Sequence, residues 1–277
     1  MISGKTSLIA HIGYPTEAFK APLIYNPWFE KHGIDAVVMP MGVKSEDYAN
    51  ALRVIFKFTN IRGALITMPH KVTTAALVDE ITTEAKIAGA CNAILKNPDG
   101  SLLGEMFDGV GFTRGLTSKG FTIKGAKCLV VGCGGVGSAI VGSLAKEGAG
   151  IISLFDIDLT AMQGLADRLR KHYPHLEIRT GSDDPAGCDL VVNGTPLGMN
   201  PGDPVPINVE RISPSTFVGE VVMKTEITPL LHAVRGRGCR FQVGTDMLFE
   251  MIPAYLEFFG FGTTTSAELR AIAKVAY

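Results

Sequence analysis

Short apolar runs alternate with helical stripes along almost the whole chain. Residues 8–12, 35–41 and 63–67 are apolar runs of strand length, each ending close to a Gly or Pro. Between the first two, a helical pattern runs through Leu23, Trp28 and Phe29 and stops at Gly33, with Lys31 and His32 in its last turn. A second stripe sets Tyr48, Leu52, Ile55 and Phe56 on one side, with Ser45 as its predicted N-cap and Glu46 and Asp47 in its first turn. Shorter helices are predicted at 74–79 and 82–88. Residues 91–96 and 101–106 then flank Asn97-Pro98-Asp99-Gly100, a hairpin turn signal.

A connecting helix is predicted at 109–119, and the alternation then starts again. Strands are predicted at 126–131, 151–155, 176–180, 189–193 and 217–222, with a helix at 160–172 and a Gly/Pro/Asn-rich loop at 194–206. Helices at 246–259 and 265–275 close the chain. Strand–helix alternation in both halves predicts two α/β units, the first with antiparallel hairpin strands added to a parallel sheet. Ligands are expected in crevices beyond strand C-termini.

One stretch carries chemistry in its pattern. The strand 126–131 runs into Gly132-Cys133-Gly134-Gly135-Val136-Gly137, then a helix with Ile140, Val141 and Leu144 on one face, then strand 151–155 and Asp156. This is a dinucleotide-binding fingerprint with its strand–turn–helix–strand context complete. Gly132 suits a tight turn, Gly134 lets a pyrophosphate approach the backbone, and Gly137 lets the helix pack closely. The helix N-terminus offers N–H groups and partial positive charge to the phosphates. Gly135, Val136 and Ile157 complete the candidate cofactor residues. Asp156 lies about 20 residues beyond the glycines, where a carboxylate accepts hydrogen bonds from ribose hydroxyls. None of Ile157, Asp158 and Leu159 is an Arg, so NAD is expected in preference to NADP.

Composition narrows the class. The net charge is −1, with no Lys/Arg cluster suited to nucleic acid or an anionic membrane. No apolar run approaches the roughly 18 residues of a membrane span, and no signal-peptide pattern opens the chain. The five cysteines include no C-x-x-C pair, as expected of reduced thiols in a cytoplasmic protein. The six histidines lack metal-ligand spacing, and no metal site is expected.

Lys71 and Asp108 are the candidate catalytic pair. Taking hydride from an alcohol requires a base for the hydroxyl proton, and the reverse reaction requires an acid; a lysine can serve as both. Lys71 stands at a predicted helix start, where the helix dipole disfavours a cation. The plainer readings are a surface lysine and an N-cap aspartate. Cys133 is a weaker candidate as a reactive thiol beside a helix N-terminus, His70 a weaker one as a substrate contact, and His11 reads as structural.

The order Thr67-Met68-Pro69-His70-Lys71, Gly89-Ala90-Cys91-Asn92, Asp108-Gly109-Val110-Gly111, the glycine turn and Asn193-Gly194-Thr195-Pro196-Leu197-Gly198-Met199 resembles the shikimate/quinate dehydrogenase family. Glu220-Val221-Val222, Thr228-Pro229-Leu230-Leu231 and Gly244-Thr245-Asp246-Met247-Leu248 extend the likeness over essentially the whole chain. The resemblance implies an N-terminal α/β substrate-binding domain (1–108, completed by 245–277) and a C-terminal Rossmann dinucleotide-binding domain (109–244). It implies NAD(P)-dependent oxidation of a ring hydroxyl of shikimate, quinate or a related cyclic polyol or carboxylate, by a monomer or homodimer. By the same resemblance Lys71 is the catalytic lysine and Asp108 its partner. Thr67 and Asn92 hold substrate hydroxyls, and Thr195, Pro196, Leu197, Val221 and Gly244 line the cofactor.

The departures fall on the substrate side. Phe19 and Ala21 stand where the family carries two hydroxyls for the substrate carboxylate. Leu65 replaces an asparagine, Met251 a glutamine, and Met106-Phe107 an Asn-Thr pair. An altered substrate is therefore expected, with the hydride-transfer apparatus kept. Two alternatives stay open: a dehydrogenase of an amino- or otherwise substituted shikimate analogue, and a catalytically idle NAD-binding regulatory protein.

Overall fold

A computed structural model describes residues 2–17 and 19–274. The chain divides into two compact units, one running up to Phe107 and resuming at Ile252, the other formed by Asp108–Met251.

The first unit opens with β1 (Ser7–Gly13), α1 (Pro22–Lys31), β2 (Ala36–Gly42), α2 (Tyr48–Ile55) and β3 (Ile61–Ile66). One helical turn, α3 (Lys71–Thr74), a two-residue strand β4 (Glu80–Ile81) and α4 (Thr83–Ala88) follow, then the hairpin β5 (Ala93–Lys96) and β6 (Leu102–Glu105). The sheet order is β2-β1-β3-β5-β6-β4. β1 is parallel to both β2 and β3, whereas β5 runs antiparallel to β3 and β6. One face packs Ala10, Ile12, Ala64, Ile66 and Ile94 against Tyr48, Leu52 and Ile55 of α2. Burying each large side chain there is worth roughly 1.5–3 kcal/mol. Because strand residues alternate faces, His11 and Leu65, paired in register, lie on the opposite face.

The second unit opens with α5 (Asp108–Ser118), β7 (Lys127–Val131), α6 (Gly135–Lys146), β8 (Ile151–Phe155), α7 (Leu159–His172) and β9 (Glu177–Thr180). β10 (Leu190–Asn193), β11 (Phe217–Glu220), α8 (Pro229–Gly236), β12 (Phe241–Gln242) and α9 (Gly244–Phe258) follow, and the boundary at Met251 falls within α9. Its six strands pair in parallel in the order β9-β8-β7-β10-β11-β12. Numbered within the unit this is 3-2-1-4-5-6, the doubly wound order of dinucleotide-binding sheets, which reverses between β7 and β10. β10 and β11 are buried at every residue, as strands covered on both faces must be. α5 lies close to its neighbours because Gly109 and Gly111 have no Cβ: one at Gly109 would strike the Ala139 carbonyl of α6, and one at Gly111 would sit 2.6 Å from Met251 Cβ. The last helix, α10 (Ser266–Ile272), belongs to the first unit.

Several local expectations need correction. α2 starts at Tyr48, with Asp47 rather than Ser45 at its cap. No helix spans 74–79. Thr74 Oγ1 donates to the His70 carbonyl at 2.8 Å, which ends the turn, and Asp79 N donates to the Leu102 carbonyl, drawing the chain toward β6. The strand predicted to reach Val222 stops at Glu220, whose own carboxylate takes the next two N–H groups. α8, β4 and β12 were not predicted. The predicted last helix ends at Val275, outside the described residues. Among the described residues no helix is long and apolar enough to cross a membrane.

Candidate active site

In the second unit the strand order reverses where the fingerprint begins. Gly132 leaves β7 with φ +102°, a conformation that side chains resist. A Cβ there would lie 2.8 Å from Thr195 N, so the turns after β7 and β10 touch at this point. A Cβ on Gly137 would collide with the Gly132 carbonyl, so glycine lets α6 start directly behind the turn. A Cβ at Gly134 or Gly135 would meet no described residue beyond its own chain neighbours and helix backbone within 4 Å, and Gly134 caps α6 without any side-chain bond. Open space in front of uncapped helix N–H groups is what a pyrophosphate requires, and this cradle fits a dinucleotide. Val136 follows in the first turn of α6.

Asp156, just past β8, accepts a hydrogen bond from Cys133 N at 2.6 Å and one from Asp158 N at 2.8 Å. The carboxylate thereby ties the glycine turn to the end of β8 and still has lone pairs for ribose hydroxyls. Ile157 is 93% exposed beside it, an apolar surface open to a flat base. Cys133 is buried, and burial, reinforced by the Asp156 charge, pushes its thiol up to about 12. It is an inert packing residue, not a reactive thiol. The reading of 157–159 missed Arg168 of α7, whose charge reaches Cys133 across the fold from twelve residues beyond Asp156.

The other side of the switch point is held by a polar network that sequence reasoning also missed. Glu220, at the end of β11, is fully buried. Its Oε1 accepts from Asn193 Nδ2 at 2.9 Å, Val221 N at 2.8 Å and Val222 N at 3.1 Å, and its Oε2 accepts from Thr228 Oγ1 at 2.9 Å. Burial raises its pKa while these bonds pull the other way. Asn193 Oδ1 in turn accepts from Thr195 N and Oγ1, and Asn193 Nδ2 also donates to the Leu197 carbonyl. Thr195, Pro196, Leu197 and Val221 are thus positioned by one buried carboxylate. Gly244 begins α9 against the Val222 carbonyl, where a Cβ would collide. The signal in the sequence was an acidic residue closing an apolar strand just before Val221-Val222.

In the first unit, the ends of β1 and β3 are joined by two backbone bonds, Thr67 N to the Ile12 carbonyl at 2.9 Å and Tyr14 N to the Met68 carbonyl at 3.0 Å. Met68-Pro69 is a cis peptide, as is Tyr14-Pro15. Lys71 is the first residue of α3, and its carbonyl accepts from Cys91 N at 2.9 Å. His70 before it is buried, its Nε2 bonded to the Val43 carbonyl at 2.7 Å and its ring stacked on Tyr48 at 3.9 Å. His70 anchors the turn that presents Lys71. Asn92 is buried, and its Oδ1 accepts from Phe107 N at 2.9 Å, which fixes the chain one residue before Asp108. Asp108 opens α5 and is 3% exposed.

Phe19 and Ala21 lie just before α1, both half-buried. The Phe19 ring stacks on His11 with centroids 4.1 Å apart. Burial, reinforced by the Lys71 charge, lowers the His11 pKa to about 4, so the ring is neutral. Met251 packs on Gly111 within the second unit. A cavity of about 560 Å³ lies at the ends of β1 and β2, lined by Tyr14, Thr16, Glu17, Lys44 and Asp47 among others, and contains none of the predicted catalytic residues.

Comparison with known proteins agrees with this frame. Residues 11–94 match the family model for the shikimate dehydrogenase substrate binding domain. A shikimate dehydrogenase (NADP(+)) of Rubrobacter xylanophilus is 32% identical, over 98% of this chain and 97% of the relative. The crystal structure of shikimate 5-dehydrogenase from Listeria monocytogenes in complex with shikimate and NAD superposes with a TM-score of 0.91 at 25% identity, covering 98% of this chain and 97% of that one. Quinate dehydrogenase from Corynebacterium glutamicum in complex with NAD gives 0.87 at 25% identity, covering 96% and 98%. The chain belongs to the shikimate dehydrogenase family, whose members are oxidoreductases acting on a hydroxyl group with a nicotinamide dinucleotide.

Proposed function

We propose that this protein oxidises, reversibly, a ring hydroxyl of shikimate, quinate or a related cyclic polyol, with NAD preferred over NADP. The observation that carries the reading is the presence, in one chain of this family, of an open phosphate cradle at α6 and a lysine at the strand ends of the first unit. A dinucleotide held by Gly132, Gly134, Gly135, Val136 and Gly137 supplies the hydride acceptor. Lys71 takes the hydroxyl proton on oxidation and returns it on reduction. Asp108 orients the amine and a substrate hydroxyl. Thr67 and Asn92 hold neighbouring hydroxyls, with Asn92 itself fixed by the bond from Phe107 N to its Oδ1. Phe19, Ala21 and Met251 border the substrate without charge.

The NAD preference is supported by Asp156, whose carboxylate would repel a 2′-phosphate. A specific observation favours the rival: Arg168 reaches the glycine turn electrostatically, and a guanidinium there suits NADP. The Rubrobacter relative is named for NADP, the Listeria structure for NAD. Steady-state turnover of shikimate and quinate with each dinucleotide tests both parts. The reading expects kcat/KM with NAD to exceed that with NADP by about tenfold or more. An equal or reversed ratio removes the NAD preference, and no turnover with either dinucleotide removes the dehydrogenase.

A further inference from the structure

His11 is the buried titratable group that the proposed reaction leaves without a role. It sits in β1, in register with Pro40 of β2 and Leu65 of β3, and is 8% exposed. Among the described residues none hydrogen-bonds its Nδ1, although that atom is buried. The first unit supplies its own control. His70, more deeply enclosed and also stacked on an aromatic ring, has its Nε2 bonded to the Val43 carbonyl. A histidine kept for structure looks like His70; His11 does not.

The surroundings of His11 point to a ligand. Two residues further along β1, a Cβ on Gly13 would strike the Thr67 methyl, the Met68 carbonyl and the Phe19 ring, so these groups close tightly around the strand end. Phe19 also stacks on the imidazole, and Lys71 is near enough for its charge to act on the ring. His11, Phe19, Thr67 and Lys71 therefore gather at one strand end of a single compact unit. The imidazole offers one neutral hydrogen bond, roughly half the strength of a charge-assisted one. Leu65 and Phe19, on either side, offer none. Such a wall gives a hydroxyl or carbonyl oxygen one partner and adds no cation of its own for a carboxylate.

We propose that His11 is a substrate-contacting residue whose imidazole hydrogen-bonds a ring hydroxyl of an uncharged cyclic polyol held beside Lys71. This rests on the polyol dehydrogenase reading and deepens it by naming the substrate's charge and a contact for it. The probes are shikimate and its methyl ester, which share ring hydroxyls and differ in charge. The proteins are the wild type, His11→Leu and His11→Asn, each assayed for kcat, KM and dinucleotide affinity. The ester is expected to match or exceed shikimate in kcat/KM. His11→Leu is expected to raise KM for the ester about tenfold, with kcat and dinucleotide affinity little changed, and His11→Asn to recover most of the loss. On the wild type, nitrogen-detected NMR of the imidazole, assigned by its loss in His11→Asn, is expected to shift as the ester is added.

A wild-type KM in His11→Leu, or a ring signal indifferent to the ester, overturns the contact. A marked preference for shikimate over its ester overturns the uncharged substrate. If the wild type turns over neither probe with either dinucleotide, the dehydrogenase reading falls, and the ring signal then decides alone: a shift upholds the contact and silence ends it.

Discussion

At the ends of β7 and β10 the candidate binding surface is backbone: N–H groups of a glycine turn, an uncapped helix start, and a loop tied by Asn193 to a buried Glu220. At the ends of β1 and β3 it is side chain: Lys71 on a single helical turn, Thr67, and an imidazole whose Nδ1 has no partner among the described residues. The difference has chemical consequences. A backbone cradle recognises the phosphates common to every dinucleotide, and its geometry is set by glycines that allow little substitution. A surface of side chains can exchange hydroxyls for Phe19 and Ala21 and keep the same strands, so substrate choice can change while the cofactor frame stays fixed.

Lys71 apart, the largest expected effect lies on the side-chain surface. Asp108→Asn keeps the shape and removes the charge, and turnover should fall on the order of 10²-fold or more with dinucleotide affinity unchanged. If turnover survives intact, Asp108 only begins a helix.

On the backbone surface, Glu220→Ala strands two N–H groups, the Asn193 amide and the Thr228 hydroxyl in a dry interior. Chemical denaturation should show a loss of about 3 kcal/mol or more, together with weaker dinucleotide binding. Unchanged dinucleotide binding in the folded variant would mean that the loop does not need this tie.

The pH response should separate the two regions next. His11 has its pKa lowered to about 4 in the folded protein, against 6.5 when unfolded, so the unfolded chain binds more protons between those values. Stability from this group is full above about 6.5 and is lost as pH falls toward 4, by up to about 3 kcal/mol. His11→Asn should flatten that part of the stability curve; an unchanged slope would mean that the imidazole is not held neutral.

The smallest effect is expected at Asp156. Asp156→Ala should relax the bias against NADP by about tenfold, read as the ratio of the two dissociation constants. An unmoved ratio passes the discrimination to Arg168.

The same contrast explains what the chain revealed in advance. The glycine turn was legible because its chemistry is local: each glycine answers to a neighbour within a few residues or to the next strand. The parallel strands β10 and β11 were legible as apolar runs, since burial on both faces leaves no alternation to misread. Two-residue strands such as β4 have no period to detect. The helix expected at 74–79 failed because Thr74 satisfies its hydroxyl on His70 and Asp79 bonds across to β6, a partner more than twenty residues away. His11 looked structural for a related reason. Its character depends on Phe19 eight residues away and on Lys71 sixty residues away, and no spacing rule connects them. Arg168 was overlooked because helix α7, not the strand end, brings it to the turn.

The central claim is that an amine from the first unit moves the proton while the second unit holds the dinucleotide, and Lys71→Ala tests it most directly. Turnover of the best substrate and dissociation of NAD should be measured on the same preparation. The account predicts turnover reduced by about 10²–10⁴-fold with NAD affinity unchanged. Turnover within a few-fold of wild type would contradict it.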